Sequence, residues 1–203
     1  CSVTGVEIDA TAADEARGRG LSVVQGSLED AAFRRSLGRG QFDVVIAADV
    51  LEHLTDPSPT LGCMHDWLAP GGAAIVSTPN VATWSMRARL LRGDFTYEES
   101  GLLDRTHLRF YTWETFHELV HNKGWSVVER MVDAWELPGV QTLMFDWPNA
   151  AALALKDRPD AIGRQLVLGA GQLVSWHQRM AKRVGRTWPN LCAKHMAFLM
   201  RPA

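Results

Sequence analysis

Phe42-Asp43-Val44-Val45-Ile46-Ala47-Ala48-Asp49 opens a stretch that runs through Asp56-Pro57-Ser58-Pro59 and Pro70-Gly71-Gly72 to Ala73-Ala74-Ile75-Val76-Ser77-Thr78-Pro79-Asn80. The first apolar run, bounded by charge, has the composition of a strand buried on both faces. Asp56 or Ser58 can cap a following helix that accepts Pro57 or Pro59 in its first turn and sets Leu61, Met64, Trp67 and Leu68 on one face. Pro70-Gly71-Gly72 is expected to end that helix. Ala73 to Asn80 is then a strand with Pro79 at its end, because an internal proline would remove a ladder donor. The unit is β-α-β. In open parallel sheets ligands bind beyond the carboxyl ends of the strands, so Asp49 to His53 is a candidate site.

The same alternation extends upstream, with strands expected over Val3 to Asp9 and Leu21 to Val24, and helices over Ala12 to Arg17 and Glu29 to Ser36. Strands that alternate with helices in this way imply right-handed crossovers and a doubly wound α/β fold with a mostly parallel, Rossmann-like sheet. A first strand and its glycine loop are expected to lie before Cys1. Downstream, a helix is expected from Ala82 to Leu91, and the charged, aromatic stretch 93–110 reads as a pocket loop. Thr112 opens a helix that Gly124 stops, and Trp125 to Val132 is a strand. Residues 138–190 are broken by Pro148, Pro159, Gly185 and Pro189 and read as a helical insertion or lid, and 194–200 as a final antiparallel strand.

A chain of 203 residues with 46% hydrophobic content can bury its own core, so one domain spanning 1–203 is expected. The net charge of -2 argues against nucleic-acid binding by bulk electrostatics, although Arg87, Arg89, Arg92, Arg105 and Arg109 cluster locally. Cys1, Cys63 and Cys192 are scattered and odd in number, which suggests neither a disulfide framework nor a cysteine metal site and makes the reducing cytoplasm the expected compartment. No signal peptide and no apolar run long enough for a bilayer is seen.

Gly5-Val6-Glu7-Ile8-Asp9, Phe42-Asp43-Val44-Val45, Asp49-Val50-Leu51-Glu52-His53-Leu54, Leu68-Ala69-Pro70-Gly71-Gly72 and Leu103-Asp104-Arg105-Thr106-His107-Leu108-Arg109-Phe110 occur in order, with the right elements between them. Over residues 3–132 and the final strand the chain resembles class I S-adenosylmethionine-dependent methyltransferases, in a branch near the quinone-biosynthesis O-methyltransferases. The resemblance implies S-adenosylmethionine as cofactor and a small-molecule acceptor. It places Glu7, with Ile8 beside it, at the end of the family's second strand, where a carboxylate accepts the ribose hydroxyls. Ser27 and Leu28 match the adenine frame, with Ser27 in place of a frequent aspartate. Ala48, Asp49 and Val50 match the wall along the methionine part, where Asp49 can favour the sulfonium charge.

Methyl transfer is an in-line displacement from an activated donor, so approach geometry and desolvation dominate, and a hydroxyl acceptor additionally needs a base. His53 and His107 are the candidate catalytic bases, since both fall in segments expected at the pocket and histidine titrates near neutrality. Arg105 and Arg109 flank His107 and suit a carboxylate or phosphate, which suggests a sugar-linked, lipid-linked or aromatic acceptor, with pairing to Glu98, Glu99 and Asp104 as the alternative. Asp49, Glu52 and His53 have the i, i+3, i+4 spacing of a cation site, yet Asp49 is expected to face the cofactor and no metal is expected.

Four other readings remain open. Without a first strand and glycine loop the chain could be a non-catalytic binding or scaffold domain. His117-Glu118-Leu119-Val120-His121 matches a zinc hydrolase pattern, but Val127 stands where the extended form wants a further histidine, and a buried stripe of Phe116, Leu119 and Val120 explains the spacing as well. Gly169-Ala170-Gly171 and the basic helix with Arg179, Lys182 and Arg183 allow a permuted glycine loop or peripheral membrane contact, against ordinary helix packing and a solvated face.

Overall fold

The computed structural model describes residues 2–134, 190 and 193–203. The expected insertion at 138–190 lies outside the described residues except for Asn190, and with it Gly169-Ala170-Gly171 and the basic helix. The chain runs β1 (Thr4–Glu7), α1 (Ala10–Gly18), β2 (Ser22–Gln25), α2 (Ala31–Ser36), β3 (Phe42–Ala48), a 3₁₀ turn (Leu51–His53), α3 (Ser58–Trp67), β4 (Leu68–Pro79), α4 (Trp84–Leu91), α5 (Trp113–His121), β5 (Trp125–Ala134) and β6 (Ala193–Pro202). β1 pairs with β2 in parallel, and a four-stranded sheet has the order β3-β4-β6-β5. Within it β3 and β4 are parallel, and β6 is antiparallel to both neighbours. This is the expected α/β architecture with its antiparallel last strand, drawn in two sheets that share no ladder. No helix among the described residues is long and apolar enough to cross a membrane.

Side-chain caps fix where the helices start. Asp9 accepts from the Ala12 amide at 2.8 Å, Asp30 from Ala32 at 2.7 Å, and Thr112 forms a reciprocal capping box with Thr115. At α3 the arrangement differs from expectation: Pro57 occupies the cap position without a side-chain bond, and Asp56 orders the first turn by accepting from the Ser58 amide at 2.9 Å.

Two strand expectations need correction. Pro70-Gly71-Gly72 does not separate α3 from the next strand but lies inside β4 as a bulge, because the register jumps from Phe42 opposite Leu68 to Val44 opposite Ala73. Gly71 has a φ of 78°, and a Cβ on Gly72 would come within 2.9 Å of the Ala69 carbonyl and 3.0 Å of the Asp43 carbonyl, so the bulge demands glycine. β3 is not buried on both faces either. Among the described residues it pairs with β4 alone, and Ile46 is 52% exposed.

The core forms where α3 and α5 cover the four-stranded sheet. Leu61, Met64 and Trp67 face inward as their helical spacing predicts, and Phe116 stacks on Phe198 with ring centroids 5.0 Å apart. β4 and β6 carry the near-continuous apolar runs that burial of both faces requires, and because they run antiparallel the carboxyl end of β4 lies beside the amino end of β6, with Pro79 opposite His195.

Candidate active site

β3 ends at Ala48, and the chain turns away through Asp49 with a φ of 49°, the one non-glycine residue in the left-handed region among those described. Aspartate tolerates this region because its side chain can bond locally. Ser77 on β4 secures it: the Asp49 amide donates to the Ser77 carbonyl at 3.2 Å and to Ser77 Oγ at 3.1 Å, while the Ser77 hydroxyl donates to Asp49 Oδ1 at 2.7 Å. Asp49 Oδ2 lies 3.7 Å from Nε2 of His195 on β6.

The 3₁₀ turn follows at once, and it receives the loop that carries His107. The amides of Leu108 and Arg109 donate to the Glu52 carbonyl at 2.9 and 3.1 Å, which brings the buried His107 ring to 4.7 Å from His53 at an interplanar angle of 67°. His107 Nδ1 sits 2.9 Å from the Leu102 carbonyl, and His53 Nδ1 sits 3.2 Å from the Thr106 carbonyl. A carbonyl can only accept, so these partners assign a proton to Nδ1 in both rings, and in the neutral form of each ring Nε2 is the acceptor.

Glu52 lies beneath the pair and is 1% exposed. Burial pushes its carboxyl up to about 7; its own backbone amide works against this, the Asp49 charge adds to it, and Thr78 and His195 weakly favour the charged form. Neither carboxyl oxygen has a hydrogen bond of good geometry, and the Thr78 hydroxyl nearby also lacks one. Glu52, His53 and His107 each offer one ligand atom, all within 4.8 Å of one another, and they are the one such group of three among the described residues. Two imidazoles and a carboxylate suit a divalent cation of borderline softness. The group therefore contains His107 in place of Asp49, whose carboxylate is taken up by Ser77.

A cavity of about 480 Å³ opens beside these residues. Asp49, His53 and His107 line it, as do Arg89 and Glu98 from the α4 side and Lys194 and His195 from β6. Lys194 and His195 carried no signal in the sequence, whereas Glu52 had its spacing from Asp49 and His53 and Arg89 belonged to the local arginine cluster.

The expected cofactor residues form a second group at the ends of β1 and β2. The Gly26 amide donates to the Glu7 carbonyl at 2.9 Å, which sets Ser27 and Leu28 beside Glu7, whose own Oε1 accepts from the Asp9 amide at 2.9 Å. Ile8 is exposed, and Ser27 Oγ accepts from the Glu29 amide at 3.1 Å. Of the expected cofactor set, only Asp49 also lines the cavity, with Ala48 and Val50 as its chain neighbours.

Arg105 and Arg109 do not line the cavity. Arg105 pairs with exposed Glu99 at 3.1 Å, and Arg109 donates to the carbonyls of Leu54 and Thr55. Arg89 does line it, but Asp94 at 2.9 Å and Glu98 already engage its guanidinium. On α5, His117 Nε2 accepts from Arg130 Nη2 at 3.1 Å, and burial, followed by the Arg130 and His121 charges, holds its pKa down. Among the described residues His117 and His121 belong to no group of three ligand residues, and the Arg130 contact gives His117 a structural partner.

A family model described as "Methyltransferase domain" matches residues 1–130. The ubiquinone biosynthesis O-methyltransferase of Ruegeria pomeroyi is 32% identical over 90 residues, which make up 44% of this chain and 36% of that protein. The chain thus aligns with well under half of this curated relative. Among solved structures, a SAM-dependent methyltransferase of Archaeoglobus fulgidus superposes with a TM-score of 0.56 at 15% identity, over 97% of this chain and 74% of the other. One from Thermotoga maritima, described as a possible histamine N-methyltransferase, has a TM-score of 0.52 at 22% identity, over 70% of this chain and 63% of the other. At these identities the structures speak for the fold alone.

Proposed function

Because the chain belongs to the methyltransferase domain family, whose cofactor is S-adenosylmethionine, we propose that it methylates a hydroxyl oxygen of a small-molecule acceptor held in the cavity beside His53 and His107. The observation that carries this reading is the histidine pair itself, two rings 4.7 Å apart with both Nε2 atoms left as acceptors. When bound, S-adenosylmethionine would supply a methyl carbon activated by the sulfonium charge, with sulfur as the leaving atom that keeps the C–S electron pair. Nε2 of His53 or His107 takes the hydroxyl proton, and the Nδ1 bonds to Thr106 and Leu102 hold each ring in the tautomer that can do so. Glu7 would accept hydrogen bonds from the ribose hydroxyls, Ile8, Ser27 and Leu28 would frame the adenine side, and Ala48, Asp49 and Val50 would wall the sulfonium end.

The cavity lining sets Asp49, Glu98 and Asp104 against Arg89 and Lys194. That balance favours a neutral acceptor over the anionic one suggested by Arg105 and Arg109. The free Cys63 suits a reducing cytoplasm.

A second reading is supported by the convergence of Glu52, His53 and His107. Held there, a divalent cation would lower the pKa of an acceptor hydroxyl and take over the role of the base. Incubation with labelled S-adenosylmethionine and a panel of phenolic, sugar and amine acceptors, read by mass, tests the main proposal. Methylation of hydroxyl acceptors that survives a chelator supports the histidine base, loss with chelator and recovery with a divalent cation supports the second reading, and methylation confined to amines contradicts both.

A further inference from the structure

The segment between the 3₁₀ turn and α3 lies between the two groups that methyl transfer would need, and a single peptide unit touches both. Its amide end, Thr55 N–H, donates to Glu29 Oε1. Its carbonyl end, Leu54 C=O, accepts from Arg109 Nε at 3.3 Å, and the next carbonyl, that of Thr55, accepts from the same Nε at 3.0 Å and from Arg109 Nη2. A carboxylate at the N–H end and a guanidinium at the C=O end both lie along the favourable direction of the peptide dipole. Each polarises the group toward the other, so the two bonds strengthen one another.

Both charges belong to functional loops. Glu29 follows Leu28, whose carbonyl is clamped by Arg34 Nη1 and by the Thr60 hydroxyl at 3.3 Å, with the Arg34 side chain itself buried. Arg109 follows His107 by two positions, in the stretch whose amides bind the Glu52 carbonyl.

We propose that Glu29 and Arg109 are positioning residues that act through the Leu54–Thr55 peptide, so that the loop at the ends of β1 and β2 and the loop carrying His107 become ordered together. The inference rests on the methyl-transfer reading for the identity of the ligand that exploits the link, while the link itself is a property of the chain. Arg109 thereby has a task other than the acceptor contact that its position beside His107 suggested. Occupation of the donor side would stiffen the His107 loop before the acceptor arrives.

Site-resolved amide hydrogen exchange on the full chain, first without ligand, tests this. Glu29→Gln, which keeps an acceptor of the same shape, is expected to speed exchange at Leu108 and Arg109 several-fold. Arg109→Met is expected to do the same at Glu29, on the far side of the link, and the double variant is expected to be no faster than the faster single one. Amides of β4 and β6 serve as the internal reference that the fold is intact. Exchange that rises only within the substituted loop, or effects that multiply in the double variant, overturns the proposal. With S-adenosylhomocysteine added, protection of Leu108 and Arg109 in the wild type and its loss in Glu29→Gln support the link, and binding without that protection contradicts it. Absence of any binding to the wild type counts against the methyl-transfer reading instead, and the ligand-free exchange then decides the link by itself.

Discussion

Glu52→Gln isolates the carboxyl most displaced from its ordinary pKa among the described residues. In the folded chain burial raises the Glu52 carboxyl from 4.5 to about 7, while the unfolded chain titrates near the lower value. Between those limits the folded state binds the extra proton, so stability falls as pH rises across the window and levels off above about 7. Each pH unit costs about 1.4 kcal/mol, and the whole window about 3 kcal/mol. Glutamine has the same shape and no charge. Urea unfolding in chelator at pH 5 and at pH 8 should therefore show the wild type losing about 2.5 kcal/mol more than Glu52→Gln between the two conditions, because part of the window lies below pH 5. The difference between the proteins is the quantity to read, because other groups titrate identically in both. Equal slopes, or a wild type that gains stability relative to the variant toward pH 8, would refute the burial argument. Repeating the measurement with a divalent cation adds a second arm: an ion held by Glu52, His53 and His107 keeps the carboxylate charged and abolishes the slope.

Other perturbations have equally definite outcomes. His107→Asn and His53→Asn retain ring-edge polarity without basicity, and whichever residue is the base should lose on the order of 10²-fold in kcat with little change in donor KM, as measured with the identified acceptor. Gly72→Ala forces a Cβ against two carbonyls in the β4 bulge and should destabilise by roughly 1 to 3 kcal/mol in thermal unfolding. His117→Asn, by contrast, should leave methyl transfer unchanged and reveal no zinc in metal analysis, because its partner is Arg130.

The fold was legible in the sequence wherever a strand is buried on both faces or a helix carries a single apolar stripe. Ile75 and Val76 in β4, and Leu61, Met64 and Trp67 in α3, stand where their periodicity put them. Two places escaped for physical reasons. Pro70-Gly71-Gly72 has the composition of a turn, and only pairing with β3 shows that the ladder continues around it as a bulge. Ile46 looks like a core residue, and its exposure depends on which strands flank β3, a property of topology that local composition does not encode. The site was legible in pieces. His53 and His107 could be chosen by residue type, but their contact depends on two loop amides reaching the Glu52 carbonyl, a backbone event with no side-chain signature. Arg105 and Arg109 were chosen for their charge, which in the structure is spent on Glu99 and on main-chain carbonyls.

Binding of the cofactor product decides the central claim most directly. Calorimetric titration of the full chain with S-adenosylhomocysteine should show one saturable site, weakened at least ~10-fold by Glu7→Ala through loss of charge-assisted bonds to the ribose. No heat at millimolar ligand, or binding indifferent to Glu7→Ala, would contradict the account.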